Sequence, residues 1–473
     1  MSSKPSPLWD RHFQELKGFF SQPEAEPNWA AQAYAVMLGH YYQHLIPSSA
    51  SVLEIGCGKG DLLARLSNRK ITGLDLSEHK IAEARQRLPH GRFEVIAAEL
   101  FESAEKYDVI ILADTINFVG DVQLLFSKIL EMSHPRTRLV INFYNTLWRP
   151  VVSAARWLGI KRPEPPSSWL SSDDILNLLD LADWQVVHQQ SRILAPIRIA
   201  GLGTLMNRFL GPLFQTFCLA IFCVARPRVA AGNRDFSVSV VIPARNEAGN
   251  IEAAVLRTPE MGSFTELIFV EGNSTDNTWE EIQRVAQKYP GRKIKILQQS
   301  GKGKGNAVRD GFAAATGEIL MILDADLTMP PEELPKFYDV LANGHAEFAN
   351  GVRLVYPMEK EAMRFLNMCA NKFFSIAFTW LLSQPVKDTL CGTKVLFNEE
   401  YQRIVSNRAY FGNFDPFGDF DLLFGASKLN LKIADVPIRY RDRTYGTTNI
   451  HRWKHGLLLL KMTAFAARKI KFI

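Results

Sequence analysis

Cysteine is scarce in this sequence, and its placement suggests neither a metal site nor a disulfide framework. The 473 residues include five cysteines, Cys57, Cys218, Cys223, Cys369 and Cys391. They lack Cys-x-x-Cys spacing, which argues against a zinc site and is typical of reduced core residues in a cytosolic protein. The formal charge is only +6, so nucleic acid is not an expected partner.

A long apolar run is also missing. The longest run, residues 209–225, is interrupted by Pro212, Gln215 and Thr216. It is short for a membrane span, so we interpret it as protein core. The polar, proline-rich start is unlike a signal peptide. We therefore expect no transmembrane segment and a cytoplasmic location.

Charge is unevenly placed at the C-terminal end. From Arg439 onward the chain has nine Lys or Arg residues and one acid, Asp442. Residues 451–473 place Trp453 and Leu457 among these cations, which predicts a basic amphipathic helix. Such a helix either lies in a membrane interface or packs on its own domain. The charge asymmetry indicates an anionic partner, either phosphates or a membrane surface. We expect the contact with a membrane to be peripheral.

A small, polar, turn-rich segment, residues 229–235, divides the chain. On both sides of it strand patterns alternate with helical patterns, which predicts α/β domains with mostly parallel sheets. We expect a helical segment at residues 1–50, then domains at 51–228 and 236–450. Ligands of such sheets bind at the carboxyl ends of the strands.

In the first half, the sequence SVLEIGCGKGDLL predicts a strand, a tight glycine turn and a helix start. Gly56, Gly58 and Gly60 let a cofactor lie against the backbone, and the helix N-terminus adds a positive field. The next strand ends at Asp75, which can accept hydrogen bonds from ribose hydroxyls. Glu54 would repel a pyrophosphate and suits a cationic amino-acid group instead.

This half resembles the class I S-adenosylmethionine-dependent methyltransferases. Their ExGxGxG signature is matched by Glu54, Gly56, Gly58 and Gly60. The resemblance spans roughly residues 50–228 and implies a Rossmann-like sheet. It also implies that the signature residues hold the methionine part of S-adenosylmethionine, Asp75 the ribose and Glu99 the adenine edge.

The methyl acceptor is not encoded in a readable motif. By the resemblance, the loop at residues 114–117 faces the acceptor. Residues that could line an acceptor pocket are His40, Tyr41, Tyr42, Asn142 and Tyr144. For each of them, packing or structural hydrogen bonding is the stronger expectation.

In the second half, an apolar strand pattern at Ile319–Leu323 stops at Asp324 and Asp326. Side chains alternate along a strand, so both carboxylates face one side. They repel each other unless a cation joins them, and hard oxygen ligands suit Mg²⁺ or Mn²⁺. Lys302 and Lys304 lie on a glycine-rich loop that can approach a phosphate, so a diphosphate leaving group is predicted.

Five segments of this half are VVIPARNE, GKGKGNAVRDGFAAATG, DADLTMPPEEL, DTLCGTK and RTYGTTN. They resemble motifs of glycosyltransferase family 2, and within it the polyprenyl-phosphate (dolichol-phosphate) sugar synthases. The resemblance covers about residues 236–460. It implies a GT-A fold and inverting transfer from a nucleoside-diphosphate sugar.

The resemblance gives roles to residues at the strand ends. Asp324 and Asp326 would hold the metal and the diphosphate. The nucleotide-sugar-binding residues would be Pro243, Arg245, Asn246, Glu247, Glu271, Asn273, Asp276, Lys302, Lys304 and Asp324. The sequence departs from the family at Glu271 and Gly272, where a pair of aspartates is usual, and at Thr328, where a third metal ligand can stand.

The sugar acceptor is inferred from charge. A phosphate oxygen is ionised at pH 7, so as a nucleophile it needs cations rather than a general base. Cations at positions resembling the family's acceptor-phosphate loops are Arg353, Arg364, Lys394 and Arg443. A hydroxyl acceptor would need a carboxylate base, and Asp419 or Asp421 could serve, although Asp421 is equally well explained as a helix N-terminal charge. Catalytic roles are assigned to Asp326, Asp421 and Arg443.

The leading hypothesis is a bifunctional transferase that moves a sugar to a polyprenyl phosphate and methylates an acceptor, plausibly a sugar or glycan. The apolar segment Phe365–Leu382 is expected beside the active-site mouth. A second hypothesis keeps the sugar transfer but directs it to a glycan hydroxyl. A third makes the first half a non-catalytic binding module.

Overall fold

The computed structural model describes residues 7–22, 28–161, 164–165, 167–196, 201–229, 232, 234–353, 355, 365–408, 420–443, 445 and 452–473. The chain divides into two compact units, Met1–Arg228 and Val229–Lys471, and the last two residues group with the first unit. Each unit contains one seven-stranded sheet with helices. Both halves are therefore α/β.

The first unit has seven strands and seven α-helices in its described residues. The strands are β1 (Val52–Ile55), β2 (Ile71–Asp75), β3 (Arg92–Val95), β4 (Tyr107–Ala113), β5 (Ser133–Tyr144), β6 (Trp184–Arg192) and β7 (Ala220–Pro227). The helices are α1 (Pro7–Phe20), α2 (Trp29–Leu45), α3 (Glu78–Arg87), α4 (Val122–Glu131), α5 (Arg149–Trp157), α6 (Ser172–Leu181) and α7 (Leu202–Leu205).

The strand order of this sheet is β3-β2-β1-β4-β5-β7-β6. Strands β1 to β5 are parallel, and β7 runs antiparallel to β5 and β6. An antiparallel pair, β6 and β7, thus closes this sheet at one edge. Both faces of the sheet are covered, since Val109 and Ile111 of β4 belong to one core and Ile110 and Leu112 to the other. This explains why the central strands read as continuous apolar runs.

The apolar run at residues 209–225 is core only in its second half, so its assignment to core was wrong for the first. Phe222 in β7 is fully buried, whereas Leu213, Phe214 and Phe217 are 60%, 51% and 61% exposed. A π-helical turn ends at Leu210, and two residues later comes Pro212. Because proline cannot donate to a strand ladder, the chain enters the sheet only at Ala220.

The second unit has seven strands and eight α-helices in its described residues. The strands are β8 (Val238–Ala244), β9 (Thr265–Glu271), β10 (Lys293–Gln298), β11 (Ile319–Ile322), β12 (Phe348–Val352), β13 (Lys394–Phe397) and β14 (Ile433–Pro437). The helices are α8 (Ile251–Arg257), α9 (Thr278–Lys288), α10 (Lys304–Ala314), α11 (Leu334–Ala342), α12 (Phe365–Leu382), α13 (Asn398–Ser406), α14 (Phe420–Lys428) and α15 (Arg452–Ile470).

This sheet has the order β10-β9-β8-β11-β13-β12-β14. Strands β8 to β11 are parallel, and β13 is antiparallel to both of its neighbours. The carboxyl ends of β8, β9 and β11 therefore meet at one edge, where ligands of such sheets bind. A search of the described helices finds none with the length and apolarity needed to cross a bilayer.

Candidate active sites

A pocket of about 230 Å³ opens at the carboxyl ends of β1, β2 and β4. Four of the predicted cofactor residues line it, Gly56, Gly58, Asp75 and Glu99. Helix α1 contributes Phe13, Leu16 and Phe20 to the opposite wall. The Phe20 ring packs edge-on against Phe118, with ring centroids 5.5 Å apart. The pocket thus combines carboxylates and glycines at the strand ends with apolar side chains, to which α1 adds two aromatic rings.

The glycine turn is fixed to the next strand by its backbone. Gly56, Gly58 and Gly60 have φ angles of +73°, +53° and +72°, which residues other than glycine rarely adopt. The amide of Gly58 donates to Asp75 Oδ2 at 2.9 Å, and the amide of Ser77 donates to Oδ1 of the same carboxylate at 2.9 Å. Asp75 therefore joins the turn to the start of α3.

Glu54 lies on β1 directly before the pocket wall and is only 3% exposed. Burial raises its pKa well above the ordinary value, and the charges of Asp75 and Asp61 add to the effect. Within the described part of the chain, its Oε2 atom has no hydrogen-bond partner. A buried, unpartnered carboxylate is costly, and a ligand carrying an ammonium group would satisfy it. The donor set therefore fits the amino-acid end of the predicted cofactor.

The residues considered for a methyl-acceptor pocket separate into two groups. Tyr42 and Asn142 are hydrogen-bonded to each other, and Asn142 also donates to Asp114 in the pocket wall. The ring of Tyr144 packs near Tyr34, a second partner of Asp114. Tyr41 lies in the same hydrophobic core as Tyr42 and its ring packs against Phe222, while His40 is exposed.

In the second unit, the loops after β8 and β9 are joined by hydrogen bonds. The amide of Asn246 donates to Ser274 Oγ at 3.0 Å, and Asn246 Oδ1 accepts from the amide of Thr275 at 2.8 Å. Glu271, the last residue of β9, accepts from the amide of Ser274 at 2.5 Å. Asn246 and Asn273 have φ angles of +57° and +56°. The predicted nucleotide residues thus share one ordered edge.

The two acids after β11 each pair with a cation of the chain. Lys304 Nζ lies 2.6 Å from Asp324 Oδ1. Arg443 bridges two acids, since its Nη2 lies 2.6 Å from Asp326 Oδ2 and its Nη1 lies 3.0 Å from Glu247 Oε1. Although burial opposes ionisation, the charge of Lys304 holds the pKa of Asp324 below its ordinary value. Residues far apart in sequence therefore form one charged cluster.

Gly392 in the DTLCGTK segment lies against the first of these pairs. A Cβ atom at this position would overlap the Asp324 carboxylate and the Lys304 ammonium group. Lys394, two residues later, is fully buried and donates to the carbonyl of Cys391. Its charge also lowers the pKa of Asp324. The DTLCGTK loop is therefore shaped around the acid edge.

Arg353, assigned by resemblance to an acceptor phosphate, has a partner within the chain. Its Nε lies 2.7 Å and its Nη2 2.9 Å from the two carboxylate oxygens of Asp388. Asp388 is fully buried and also accepts from Asn371 Nδ2 at 3.1 Å. Despite burial, Arg353 lowers the pKa of Asp388 to about 2. This pair anchors the start of the DTLCGTK loop.

The remaining predicted residues are less closely placed. Pro243 lies within β8, and Asp276 accepts from the amide of Thr278 at the start of α9. Arg245, Asn273 and Lys302 are exposed on the strand-end loops. Asp421, at the start of α14, lies 3.0 Å from Arg408 Nε. Arg364 and Asp419 fall outside the described residues, as does most of RTYGTTN beyond Arg443.

The acid edge fits a divalent cation only in part. Asp324 and Asp326 supply hard oxygen ligands, while the Thr328 hydroxyl donates to Asp326 Oδ1 at 2.8 Å. Among the described residues, no group of three or more His, Cys, Asp or Glu side chains could hold a metal. Mg²⁺ commonly takes one or two carboxylates and completes its shell with substrate phosphates and water. The donor set is consistent with that arrangement.

Three features of the site were missed by sequence reasoning: the packing role of Gly392, the Arg353–Asp388 pair and the packing of Tyr445 against Gly249. The signal for Gly392 was available, because a glycine between two polar residues in a loop often marks a close approach. The Arg353 pairing was not readable, since 35 residues separate its members.

A methyl group added at Gly392 is expected to reduce sugar transfer about 10²-fold, because it displaces Lys304 from Asp324 and misplaces charge that must be preorganised. Gly392→Ala can be compared with Gly291→Ala, where a Cβ meets nothing within 4 Å. Initial rates of transfer from a nucleotide sugar measure the effect. Equal rates for the two variants would show that the close approach is unimportant.

Comparison with known proteins assigns both halves. Residues 239–404 match the family Glycosyl transferase family 2, and residues 30–189 match the family Methyltransferase domain. The dolichol-phosphate mannosyltransferase of Pyrococcus furiosus is 38% identical over 249 residues, which cover 50% of this chain and 67% of that protein. The undecaprenyl-phosphate 4-deoxy-4-formamido-L-arabinose transferase of Edwardsiella ictaluri is 33% identical over 112 residues, 23% of this chain and 34% of that protein.

Among solved structures, one similar protein is the magnesium protoporphyrin IX methyltransferase of Synechocystis PCC 6803 with bound SAM. The structural alignment covers 48% of this chain and 100% of that chain, with 14% sequence identity and a TM-score of 0.32. The family matches and the two sheets together confirm the predicted fold class, a Rossmann-like methyltransferase sheet followed by a GT-A domain. This chain therefore belongs to glycosyltransferase family 2 and carries a methyltransferase domain in its first half.

Proposed function

We propose that the second unit transfers a sugar from a nucleoside-diphosphate sugar to a polyprenyl phosphate, with inversion, and that the first unit methylates an acceptor using S-adenosylmethionine. The relatives named above act, by their names, on dolichol phosphate and undecaprenyl phosphate. The observation that carries the proposal is the charged cluster in which Lys304 pairs with Asp324 and Arg443 joins Asp326 to Glu247.

The proposed role of this cluster is to neutralise the negative charge of the diphosphate leaving group. A divalent cation, when bound, would neutralise the diphosphate leaving group. The carboxylates of Asp324 and Asp326 would hold that cation, and the loops at Asn246 and Glu271 would hold the nucleoside. Arg443 already contacts Asp326 and Glu247, so it is placed to move toward phosphate oxygens when a substrate enters. The sugar's bond to the diphosphate then breaks as the acceptor oxygen attacks.

A phosphate acceptor makes a general base unnecessary, and Asp421 tests this point. We expect Asp421→Asn to keep the transfer rate within about threefold of wild type, because the attacking oxygen is already ionised. A hydroxyl acceptor would lose about 10²-fold or more with its base. Because Asp421 pairs with Arg408, thermal unfolding of the variant serves as the folding control. A large loss of rate in a stable variant would favour a glycan hydroxyl.

Surface features of the second unit support attachment to a membrane. Helix α12 packs against α15. On α12, Phe373 and Ile376 are 56% and 63% exposed, and on α15 Leu457 and Leu460 are 57% and 47% exposed. Residues three apart share a helix face, so each helix presents an apolar pair to solvent. With the basic residues of α15, this composition suits an anionic bilayer surface.

Replacing Leu457 and Leu460 together by glutamate is expected to weaken binding to phosphatidylglycerol-containing vesicles at least about tenfold, since it removes apolar burial and adds repulsion. Leu256→Glu is the matched control, because Leu256 is 62% exposed on α8 of the same unit. Flotation of vesicles with bound protein measures the effect. If the double variant floats as wild type does, α15 does not contact the bilayer.

The proposed sugar transfer is tested with purified protein, vesicles containing a polyprenyl phosphate, and a panel of labelled nucleoside-diphosphate sugars. One donor should give organic-soluble label that disappears when EDTA removes divalent cations. Absence of lipid-linked label with every donor, in the presence of Mg²⁺ and Mn²⁺, would overturn the proposal for the second unit.

A further inference from the structure

Asp114 follows β4 directly and has an unusual backbone conformation. Its φ angle is +52°, in the left-handed region that residues other than glycine rarely adopt. Strain of this kind persists only where surrounding contacts hold it, and it often occurs at functional sites. Asp114 also lines the pocket of about 230 Å³, next to Ala113 and Thr115. The carboxylate is thus fixed beside the space that the proposed function assigns to S-adenosylmethionine.

A hydrogen-bond network orients this carboxylate through one of its oxygens. Tyr34 Oη donates to Asp114 Oδ1 at 2.9 Å, and Asn142 Nδ2 donates to the same atom at 2.5 Å. Asn142 is held in turn, because its Oδ1 accepts from Tyr42 Oη at 2.7 Å. In the described part of the chain no donor reaches Oδ2. One oxygen therefore positions the group and the other is available to a substrate.

The environment of Asp114 suits a proton acceptor near neutral pH. Burial raises its pKa to about 6, against the hydrogen bonds from Tyr34 and Asn142 and the charge of Lys161. A general base works best when its pKa lies near the operating pH. Other titratable and charged groups that face this network are Tyr42, Tyr144, Glu54, Lys161, Arg156 and Glu164. Burial raises the pKa of Tyr34, Tyr42 and Tyr144 well above the ordinary value, so these phenols stay protonated between pH 5 and 8.

We infer that Asp114 Oδ2 is the general base of methyl transfer and that the methyl acceptor is a hydroxyl group. This inference rests on the methyltransferase function proposed above. In the reaction, the acceptor oxygen bonds to the methyl carbon, and the carbon–sulfur bond breaks with its electron pair passing to sulfur. The hydroxyl proton passes to Asp114. The products are a methyl ether, S-adenosylhomocysteine and a protonated carboxyl group.

The charge of Asp114 selects against anionic acceptors. A carboxylate or phosphate acceptor needs no base and would be repelled by ionised Asp114. Lys161, whose Nζ lies 4.6 Å from the centroid of the Tyr144 ring, is paired with Glu164, so the chemical nature of the labelled product distinguishes a hydroxyl from an amine acceptor. The rings of Tyr34, Tyr144 and Trp169 form successive contacts with centroids 6.0 and 6.4 Å apart. A neutral polyol such as a sugar can pack its C–H face on such rings and present a hydroxyl to Asp114.

The test uses methyl-tritiated S-adenosylmethionine and a lipid and glycan extract from cells whose only copy of the gene carries Glu54→Gln, which should keep sugar transfer and leave the acceptor unmethylated. Asp114→Asn should lower the initial rate of label transfer at least about 10²-fold. Calorimetric affinity for S-adenosylmethionine should stay within about threefold of wild type, because the base does not hold the cofactor. Asp173→Asn, on the exposed first turn of α6, is the matched control and should behave as wild type does.

The pH profile and the product separate a base from a structural residue. The wild-type rate should rise through a pKa near 6 and then level off, because the ionised form accepts the proton. Asp114→Asn should lack this inflection, and Asp114→Glu, which retains a carboxylate, should restore it in part. The label should survive alkaline hydrolysis, as an ether does. An unchanged rate or profile in Asp114→Asn, loss of cofactor binding in that variant, or label on nitrogen or an ester would each overturn the inference. If wild type transfers no label, the proposed methyl transfer itself fails.

Discussion

Replacement of Asp326 by alanine is expected to reduce sugar transfer about 10³-fold, the scale of loss when a preorganised electrostatic group is removed. The carboxylate of Asp326 contacts Arg443, accepts from the Thr328 hydroxyl and stands one residue from Asp324. Its removal takes away a proposed ligand for the cation that would neutralise the leaving group, and it also removes one of the two carboxylates that Arg443 contacts. The rate is measured with labelled nucleotide sugar at saturating Mn²⁺.

Asp324→Ala should show a similar loss, because Lys304 would keep its charge without the partner that positions it. Asp339→Ala, on the exposed face of α11, controls for the loss of an acid in the same unit. Thermal unfolding without substrate checks that each variant is folded at the assay temperature. Undiminished turnover in either site variant would remove the basis for assigning sugar transfer to this cluster.

Glu54→Gln is expected to weaken binding of S-adenosylmethionine about 10²-fold. Removing one partner of a buried carboxylate–ammonium pair typically costs about 2–5 kcal/mol of binding free energy. Glu54 is buried, its Oε2 atom has no partner among the described residues, and its pKa is raised by burial and by neighbouring acids. Isothermal titration calorimetry above pH 7 measures the affinity.

The same substitution should leave the unliganded first unit as stable as wild type or more stable. The sign follows from the raised pKa: ionised Glu54 is disfavoured in the fold, so its destabilising effect grows as pH rises above the ordinary carboxyl value. Glutamine removes that charge. Glu105→Gln, on an exposed loop before β4, is the control. Unchanged affinity in Glu54→Gln would show that the carboxylate does not hold the ligand.

Sequence reasoning reached most of the fold because the central strands are buried on both faces and end in polar turns. Ile319–Leu323 was predicted as a strand stopping at an acid pair, and β11 spans Ile319–Ile322. It failed for residues 209–217, where composition alone did not distinguish a buried strand from an exposed apolar segment. Pro212 held the information, since it limits where the strand can begin.

The sites were less predictable than the sheets because their geometry depends on contacts distant in sequence. Arg443 meets Glu247 across 196 residues and Asp326 across 117. The glycine and acid patterns indicated which loops bear chemistry, but not that Arg353 is paired with Asp388. Asp114 was expected only as part of a loop facing the acceptor. Its strained backbone and its three-residue network with Tyr34 and Asn142 are features of the folded chain.

The most direct test of two transferase sites on one chain is mass spectrometry of lipid-linked sugars and glycans from cells that lack the gene and carry a plasmid-borne copy. With Asp326→Ala, a polyprenyl-phosphate sugar present with the wild-type copy should be missing. With Glu54→Gln, that lipid-linked sugar should remain, while a methylated species should be replaced by one lighter by a methylene unit. Identical profiles for wild type and both variants would contradict the account.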